Sequence, residues 1–313
     1  MKFLVTGVGG QLGHDVMNEL AGRGYEGLGS DLASAYAGIS DGSPVTRMPY
    51  VGLDITNREA VLKTVREASP DVIVHCAAWT AVDAAEDPAN QEKVRSINAG
   101  GTRNLCLAAK EVGAKLIYLS TDYVFDGKGE TPWDPDCTDY APLNFYGQTK
   151  LEGELAVKEL LEKYFIVRIA WVFGRNGNNF IKTMLKVAKT HPQLRVVEDQ
   201  VGTPTYTYDL SRLLVDMAET EKYGIYHATN EGGYISWYDF AREIFATAAD
   251  LGHKEYEAIT VTPVTTKEYG LSAAARPFNS RLDKSKLIKE GFTPLPDWKD
   301  ALRRYEEEWP FDF

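Results

Sequence analysis

Cysteine is scarce in this chain: Cys76, Cys106 and Cys137 are the three in 313 residues. Their spacing makes no CxxC pair and no metal pattern, which excludes a disulfide scaffold or a zinc site as the organising principle. Two of them fall inside expected core elements, where a small apolar thiol is the default occupant. Long apolar runs are also missing. No stretch reaches the ~18 apolar residues of a membrane-spanning helix. The amino-terminal residues enter a strand and a glycine cluster without the apolar core of a signal peptide. The expectation is a cytoplasmic protein with no membrane partner. Positive charge is short as well: 34 Lys and Arg against 45 Asp and Glu give a formal net charge of -11. With no basic run, nucleic acid is not an expected partner.

What the chain does contain is a regular alternation of short apolar runs and amphipathic stretches, at 44% hydrophobic and 25% charged residues. Lys2-Phe3-Leu4-Val5-Thr6 reads as a buried strand ended by glycine. Gly7, Gly10 and Gly13 follow in GxxGxxG spacing, with Gly9 as an extra, and then Leu12, Val16 and Leu20 recur at helical spacing. Glycines in that place allow a tight turn and let backbone N–H groups approach a pyrophosphate at the helix N-terminus. A weak second strand, Tyr25 to Ser30, ends at Asp31, about 20 residues beyond the glycines. A carboxylate there can accept hydrogen bonds from a ribose diol, which favours NAD(H) over the 2′-phosphorylated form. Arg47, in the following Gly-, Ser-, Ala- and Pro-rich loop from Ala33 to Tyr50, leaves that preference open.

Leu53-Asp54-Ile55 closes a further strand, with Thr56 and Glu59 spaced as a capping box for a helix to about Ala68. Asp54 suits either an adenine site or the start of that helix. Strands are also expected at Asp71–Cys76, Lys115–Leu119 and Phe165–Ala170. His75 reads as a core histidine. Asn98, on a helix from about Val94 to Val112, reads as a cap or an exposed polar residue. Beyond Pro192 the strands shorten (Arg195–Val197, Ile225–Ala228, Ile259–Val261) between helices near Tyr208–Thr220, Trp237–Ala249 and Asp297–Glu308. The fold class is α/β: a Rossmann-type doubly wound parallel sheet with a smaller carboxyl-terminal α/β substrate portion. The dinucleotide-binding domain is expected over residues 1–175, with parts of 198–230 returning to it, and the mainly substrate-binding portion over 176–313.

The chemistry centres on Tyr146-Gly147-Gln148-Thr149-Lys150. Asn144 is placed to cap a helix running to about Lys163, so Tyr146 and Lys150 are i and i+4 neighbours on one face. A phenol beside a cation titrates below its ordinary value of about 10, because the cation favours the phenolate. Such a pair can deliver or remove a proton at a carbonyl or alcohol. Thr121 follows the strand Lys115–Leu119 and faces the crevice outside the strands' carboxyl ends, as the glycine turn does. Its hydroxyl can steer a carbonyl oxygen towards Tyr146.

Taken in order, the glycine turn, Ser120-Thr121-Asp122-Tyr123-Val124-Phe125 and Tyr146-xxx-Lys150 resemble the extended short-chain dehydrogenase/reductases. Thr6-Gly7-x-x-Gly10-Gln11-Leu12-Gly13, Ala77-Ala78-Trp79-Thr80-Ala81-Val82-Asp83, Asn178-Asn179-Phe180, Asp199-Gln200-x-Gly202-x-Pro204-Thr205 and Arg276-Pro277-x-Asn279-Ser280 narrow the resemblance to the dTDP-4-dehydrorhamnose reductase family. The resemblance implies an NAD(P)H-dependent oxidoreductase. It would reduce the C4 ketone of dTDP-4-dehydro-L-rhamnose to dTDP-L-rhamnose, with NADH or NADPH as cofactor and a dTDP-sugar as substrate. The catalytic residues implied are Thr121, Tyr146 and Lys150, with Asn98 supporting the lysine. Gly7, Gly10, Gln11, Leu12, Asp31, Asp54, Ile55, Ala78, Trp79 and Thr80 would line the cofactor, and Tyr146 and Lys150 would touch its ribose.

Thr121, Asp122 and Trp171 would meet the sugar end of the substrate, and Asn179 and Arg276 its nucleotide end; an ordinary ion pair is the alternative for Arg276. Some members bind Mg2+ at a homodimer interface through carboxylates, and Asp15, Glu198 and Asp199 hold the matching places, although surface acids need no metal. The chain departs from the family in the length of Ala33–Tyr50 and in Trp79, where a smaller or polar ring is expected. Two other readings stand beside the reductase. One is a nucleotide-sugar epimerase or dehydratase of the same fold, against which Tyr123, where a dehydratase carries Glu, counts. The other is a non-catalytic regulatory subunit resembling that of methionine adenosyltransferase, against which the intact Thr121, Tyr146 and Lys150 count.

Overall fold

A computed structural model describes residues 1–308, so the last five residues of the 176–313 portion lie outside the described residues. Seven strands form the main sheet: β1 (Lys2–Thr6), β2 (Glu26–Asp31), β3 (Tyr50–Gly52), β4 (Val72–His75), β5 (Lys115–Thr121), β6 (Tyr164–Ile169) and β7 (Gly224–His227). Their order is 7-6-5-4-1-2-3 and every pairing is parallel. Eight helices carry the argument: α1 (Gln11–Gly22), α2 (Arg58–Ala68), α3 (Thr102–Val112), α4 (Phe145–Leu160), α5 (Phe180–Ala188), α6 (Thr207–Ala218), α7 (Trp237–Asp250) and α8 (Trp298–Glu308).

The two faces of the sheet explain the continuous apolar runs. Alternate residues of a strand point to opposite faces. Phe3 and Val5 therefore pack with Val16 and Leu20 of α1 and Leu213 and Leu214 of α6. Leu4, between them, packs with Val61 of α2, Leu105 of α3 and Val157 of α4. A sheet covered on both sides needs apolar residues at every position, and the runs supply them. A third cluster, built on Phe173, Tyr206, Phe240, Trp298 and Tyr305, packs α5, α7 and α8 together.

β7 is the strand expected at Ile225–Ala228, within the 198–230 stretch, and Ile225 lies opposite Ile166. Local details correct several expectations. The helix expected from Val94 to Val112 is interrupted: Pro88–Arg95 is helical, Ser96–Gly101 is a π-helical turn, and α3 follows. Thr56 does not cap α2. Asn57 does, accepting the Ala60 N–H, while the Thr56 hydroxyl donates to Asp54 at 2.7 Å. α4 starts after Asn144, whose side chain accepts the Gly147 N–H at 2.8 Å, and ends at Leu160, three residues short of Lys163. The Ala33–Tyr50 segment is not wholly superficial, since Val45 is buried against the first core cluster. Among the described residues, no helix is long and apolar enough to cross a membrane.

Candidate active site

The strand order reverses between β1 and β4, and a crevice of about 900 Å³ opens there at the carboxyl ends of the strands. This is where ligands of open α/β sheets sit. Gly7 opens the turn after β1 with φ +74°, and a Cβ on it would come within 2.6 Å of the Ala77 nitrogen, in the loop that follows β4. Gly13 lets α1 close onto the turn, since a Cβ there would lie 2.3 Å from the Gly7 carbonyl oxygen. Gly10 is the N-cap of α1 and provides no side-chain cap, which leaves first-turn N–H groups of the helix free for an anion. These residues fit a dinucleotide pyrophosphate, and Gly7, Gly10, Gln11 and Leu12 all line the crevice.

Asp31 lines the same crevice, and its carboxylate is fixed by the Gly9 N–H at 2.9 Å and the Leu32 N–H at 2.7 Å. Among the described residues, the Lys and Arg side chains in the lining are Lys150 and Arg276, neither of them on the Asp31–Asp54 stretch. Asp54 lines the crevice beside Ile55 and also shapes the start of α2 by accepting from Thr56, a position compatible with either reading. Ala78 and Thr80 are in the lining; Trp79 is not. Its indole N–H donates to the Ala81 carbonyl at 3.0 Å, and the Lys93 ammonium stands 5.7 Å from its ring. That outward indole explains how a large ring is tolerated there.

Asn98 is buried, not exposed, and its amide clamps the loop after β4 to α4. Oδ1 accepts the Trp79 N–H at 2.8 Å, while Nδ2 donates to the Trp79 carbonyl at 3.2 Å and the Thr149 hydroxyl at 3.0 Å. The hydrogen bonds from Asn98 thus reach the neighbour of Lys150 rather than Lys150. The π-helical turn that carries Asn98 is a feature often found at functional sites. His75 is a core histidine as expected. The Thr102 hydroxyl donates to the Asn98 carbonyl at 2.6 Å, so His75 Nε2 must donate to Thr102 and Nδ1 must accept from Thr6. Burial holds this imidazole neutral, with its pKa down at about 3.

Thr121, Asp122, Tyr146 and Lys150 meet in the crevice. The Thr121 hydroxyl donates to Asp122 at 3.0 Å and accepts the Tyr123 N–H at 3.2 Å. Burial pushes the Asp122 carboxyl up to about 6. Tyr146 packs edge-on against Tyr123 with ring centroids 5.7 Å apart. Its phenol does not titrate below the ordinary range, contrary to expectation. Burial first, and then the Asp122 carboxylate, push it well above that range, with Thr121 opposing. The reason lies in Lys150, which is itself buried, points its ammonium at the Leu119 carbonyl 2.7 Å away, and stands 4.2 Å from the Tyr118 ring centroid. Burial lowers its pKa to about 7, with Glu154 opposing.

At the far end of the crevice Trp171 has φ +53°, a left-handed backbone that is rare for a bulky residue. Its ring stacks on Trp237 at 3.8 Å and 17°. Trp237, Phe180 and Asn178 also line the crevice. Sequence reasoning missed Trp237, for which an aromatic at a helix start is no signal; Asn178 and Phe180 lay inside a motif already noted. Asn179 does not face the crevice. It caps α5 by accepting the Lys182 N–H, and its amide donates to Gln11, Gly174 and Tyr305. Arg276 lines the crevice while making a two-pronged ion pair with Asp83, at 3.0 and 2.5 Å. The Mg2+ expectation gains no support: Asp15 accepts from buried His14 and Thr207, and Asp199 from Thr266. Among the described residues, no group of three His, Cys, Asp or Glu could hold a metal ion.

Comparison with known proteins agrees with this geometry. Residues 1–309 match the RmlD substrate binding domain family. A dTDP-4-dehydrorhamnose reductase of Aggregatibacter actinomycetemcomitans is 39% identical over 312 residues, covering 96% of this chain and 97% of that protein. A crystal structure of a dTDP-4-dehydrorhamnose reductase from Clostridium acetobutylicum superposes with a TM-score of 0.85 at 41% identity, covering 98% of this chain and 99% of that one. That of Bacillus anthracis, in complex with NADP, gives 0.84 at 39% identity, over 99% and 100%. The chain belongs to the RmlD family of dTDP-4-dehydrorhamnose reductases.

Proposed function

We propose that the protein reduces the C4 ketone of dTDP-4-dehydro-L-rhamnose to give dTDP-L-rhamnose, using NADH or NADPH. The observation that carries this reading is that one crevice is lined by the glycine turn, Asp31, Thr121, Tyr146 and Lys150. When bound, a reduced nicotinamide cofactor supplies hydride to the ketone carbon. The chain's own task is to receive the charge that develops on the ketone oxygen. Tyr146, with its pKa raised, stays protonated at neutral pH and is a proton donor to that oxygen. The Thr121 hydroxyl stands at the same place with its one hydrogen on Asp122, and it donates to the ketone oxygen by turning from that carboxylate. Lys150, one turn along α4 from Tyr146, serves the cofactor's ribose, and its ammonium reaches the phenolate left behind only once it turns from the Leu119 carbonyl. Asp31 favours a free ribose diol, hence NADH, because a 2′-phosphate beside this carboxylate would be repelled. A nucleotide-sugar substrate and free Cys76, Cys106 and Cys137 fit work in the cytoplasm.

The test is loss of the reduced-nicotinamide absorbance band on adding the keto-sugar nucleotide, wild type beside Tyr146→Phe. Stoichiometric oxidation that falls about 10²–10⁴-fold in the variant is expected. Run with both cofactors, the same assay gives a higher kcat/KM for NADH if Asp31 acts as argued. Wild-type protein that binds dTDP-sugars but oxidises neither cofactor would sink the reductase.

A further inference from the structure

The carbonyl oxygens of the glycine turn have a dedicated partner outside it. Asn176, 4% exposed, lies between the short strand Val172–Phe173 and α5. Its Nδ2 donates to the Gly9 carbonyl at 2.8 Å and the Gly10 carbonyl at 3.3 Å. Its Oδ1 accepts the Ile39 N–H at 3.2 Å, which ties it to the Ala33–Tyr50 segment. Arg175 and Asp41 join the same two stretches through an ion pair at 3.8 Å. Gly38 makes room for this contact, since a Cβ there would come within 2.6 Å of Asn176 Nδ2.

The consequence follows from peptide geometry. In a trans peptide the C=O and the following N–H point in opposite directions. An amide that draws the Gly9 and Gly10 carbonyls to one side therefore turns the Gly10 and Gln11 N–H groups to the other. The Gly10 N–H is taken by the Gly7 carbonyl at 3.0 Å. The Gln11 N–H opens α1 and has no carbonyl to bond within the helix, and Gln11 lies on the crevice. We propose that Asn176 is a positioning residue for the cofactor's pyrophosphate, and that the Ala33–Tyr50 segment braces it. This rests on the nicotinamide reading above and goes beyond it. The long segment is then part of the cofactor site's mechanics: Ile39 fixes Asn176, Asn176 fixes two carbonyls, and those fix the donor at the head of α1.

The test measures NADH dissociation constants by cofactor fluorescence, with dTDP binding and thermal stability in parallel, for Asn176→Ala, Asn176→Asp and Ile39→Pro. Asn176→Ala should weaken NADH about tenfold. Asn176→Asp keeps the acceptor for Ile39 but sets a carboxylate against two carbonyl oxygens, so it should weaken NADH further. Ile39→Pro removes the bracing N–H and should weaken NADH about threefold. Affinity for dTDP and the melting temperature should hardly move. Wild-type affinity for NADH in both Asn176 variants would overturn the inference, as would a parallel loss of dTDP binding. A wild-type protein that binds no nicotinamide cofactor at all would instead show that the cofactor reading itself is wrong, and the inference would fall with it.

Discussion

Glu306, on α8, is 1% exposed, and neither of its carboxylate oxygens has a hydrogen-bond partner among the described residues. Burial, with Glu243 adding to it, pushes its pKa up from 4.5 to about 9. Between those two values the folded protein keeps a proton that the unfolded chain releases. Stability is therefore fully present below the unfolded value and drains away as pH rises towards the folded one. Glu306→Gln keeps the shape and removes the titration. At about pH 7.5 the wild type stands roughly three pH units above the unfolded value, which at 1.36 kcal/mol per unit is about 4 kcal/mol. For a chain of this size each kcal/mol moves Tm by ~2 °C, so the variant should melt about 5–8 °C higher at that pH. Near pH 4.5 the two should melt together. Thermal melts of both proteins, followed by circular dichroism at a series of pH values, read the difference directly. A gap that stays constant with pH, or one that closes as pH rises, would refute the buried neutral carboxyl.

Two further outcomes follow from buried partners. Arg168 and Glu154 are fully buried and paired at 2.7 Å, so Arg168→Met, which strands the carboxylate, should cost about 3–5 kcal/mol in denaturant unfolding. Adding Glu154→Gln should recover part of that, and a double variant no more stable than the single one would contradict the pairing. Gly13→Ala should improve the helical propensity of α1 yet weaken NADH more than tenfold, because the new Cβ lands 2.3 Å from the Gly7 carbonyl. Fluorescence titration with NADH decides it, and unchanged affinity would mean the turn does not need that close approach.

Much of the sheet was legible because parallel strands buried on both faces must be apolar throughout. The runs around Leu4, Ile73 and Ile117 carry that signal without help from neighbours. The weak strand before Asp31 was legible through its place rather than its composition. What failed was local chemistry with two candidates side by side: Thr56 and Asn57 can both cap α2, and spacing to Glu59 favoured the one that the backbone did not use. The π-helical turn around Asn98 was invisible for a different reason. An extra residue in one turn leaves no mark on apolar periodicity over so short a span.

The site divides along the same line. Residues whose role follows from backbone shape, such as Gly7, Gly10 and Gly13, could be read from spacing, because a tight turn between strand and helix dictates them. Asn179 could not, since capping a helix and contacting a ligand call for the same amide. The Tyr146 phenol shows the limit most clearly. An i, i+4 spacing correctly places Lys150 on the same helical face, but a pKa depends on everything that excludes water. The Leu119 carbonyl that takes the ammonium, the Tyr118 ring beneath it and the Asp122 carboxylate near the phenol come from β5 and the turn after it. Together they reverse the sign expected from the pair alone. So raised, the phenol holds its proton at neutral pH and is a weaker acid than one matched to the working pH.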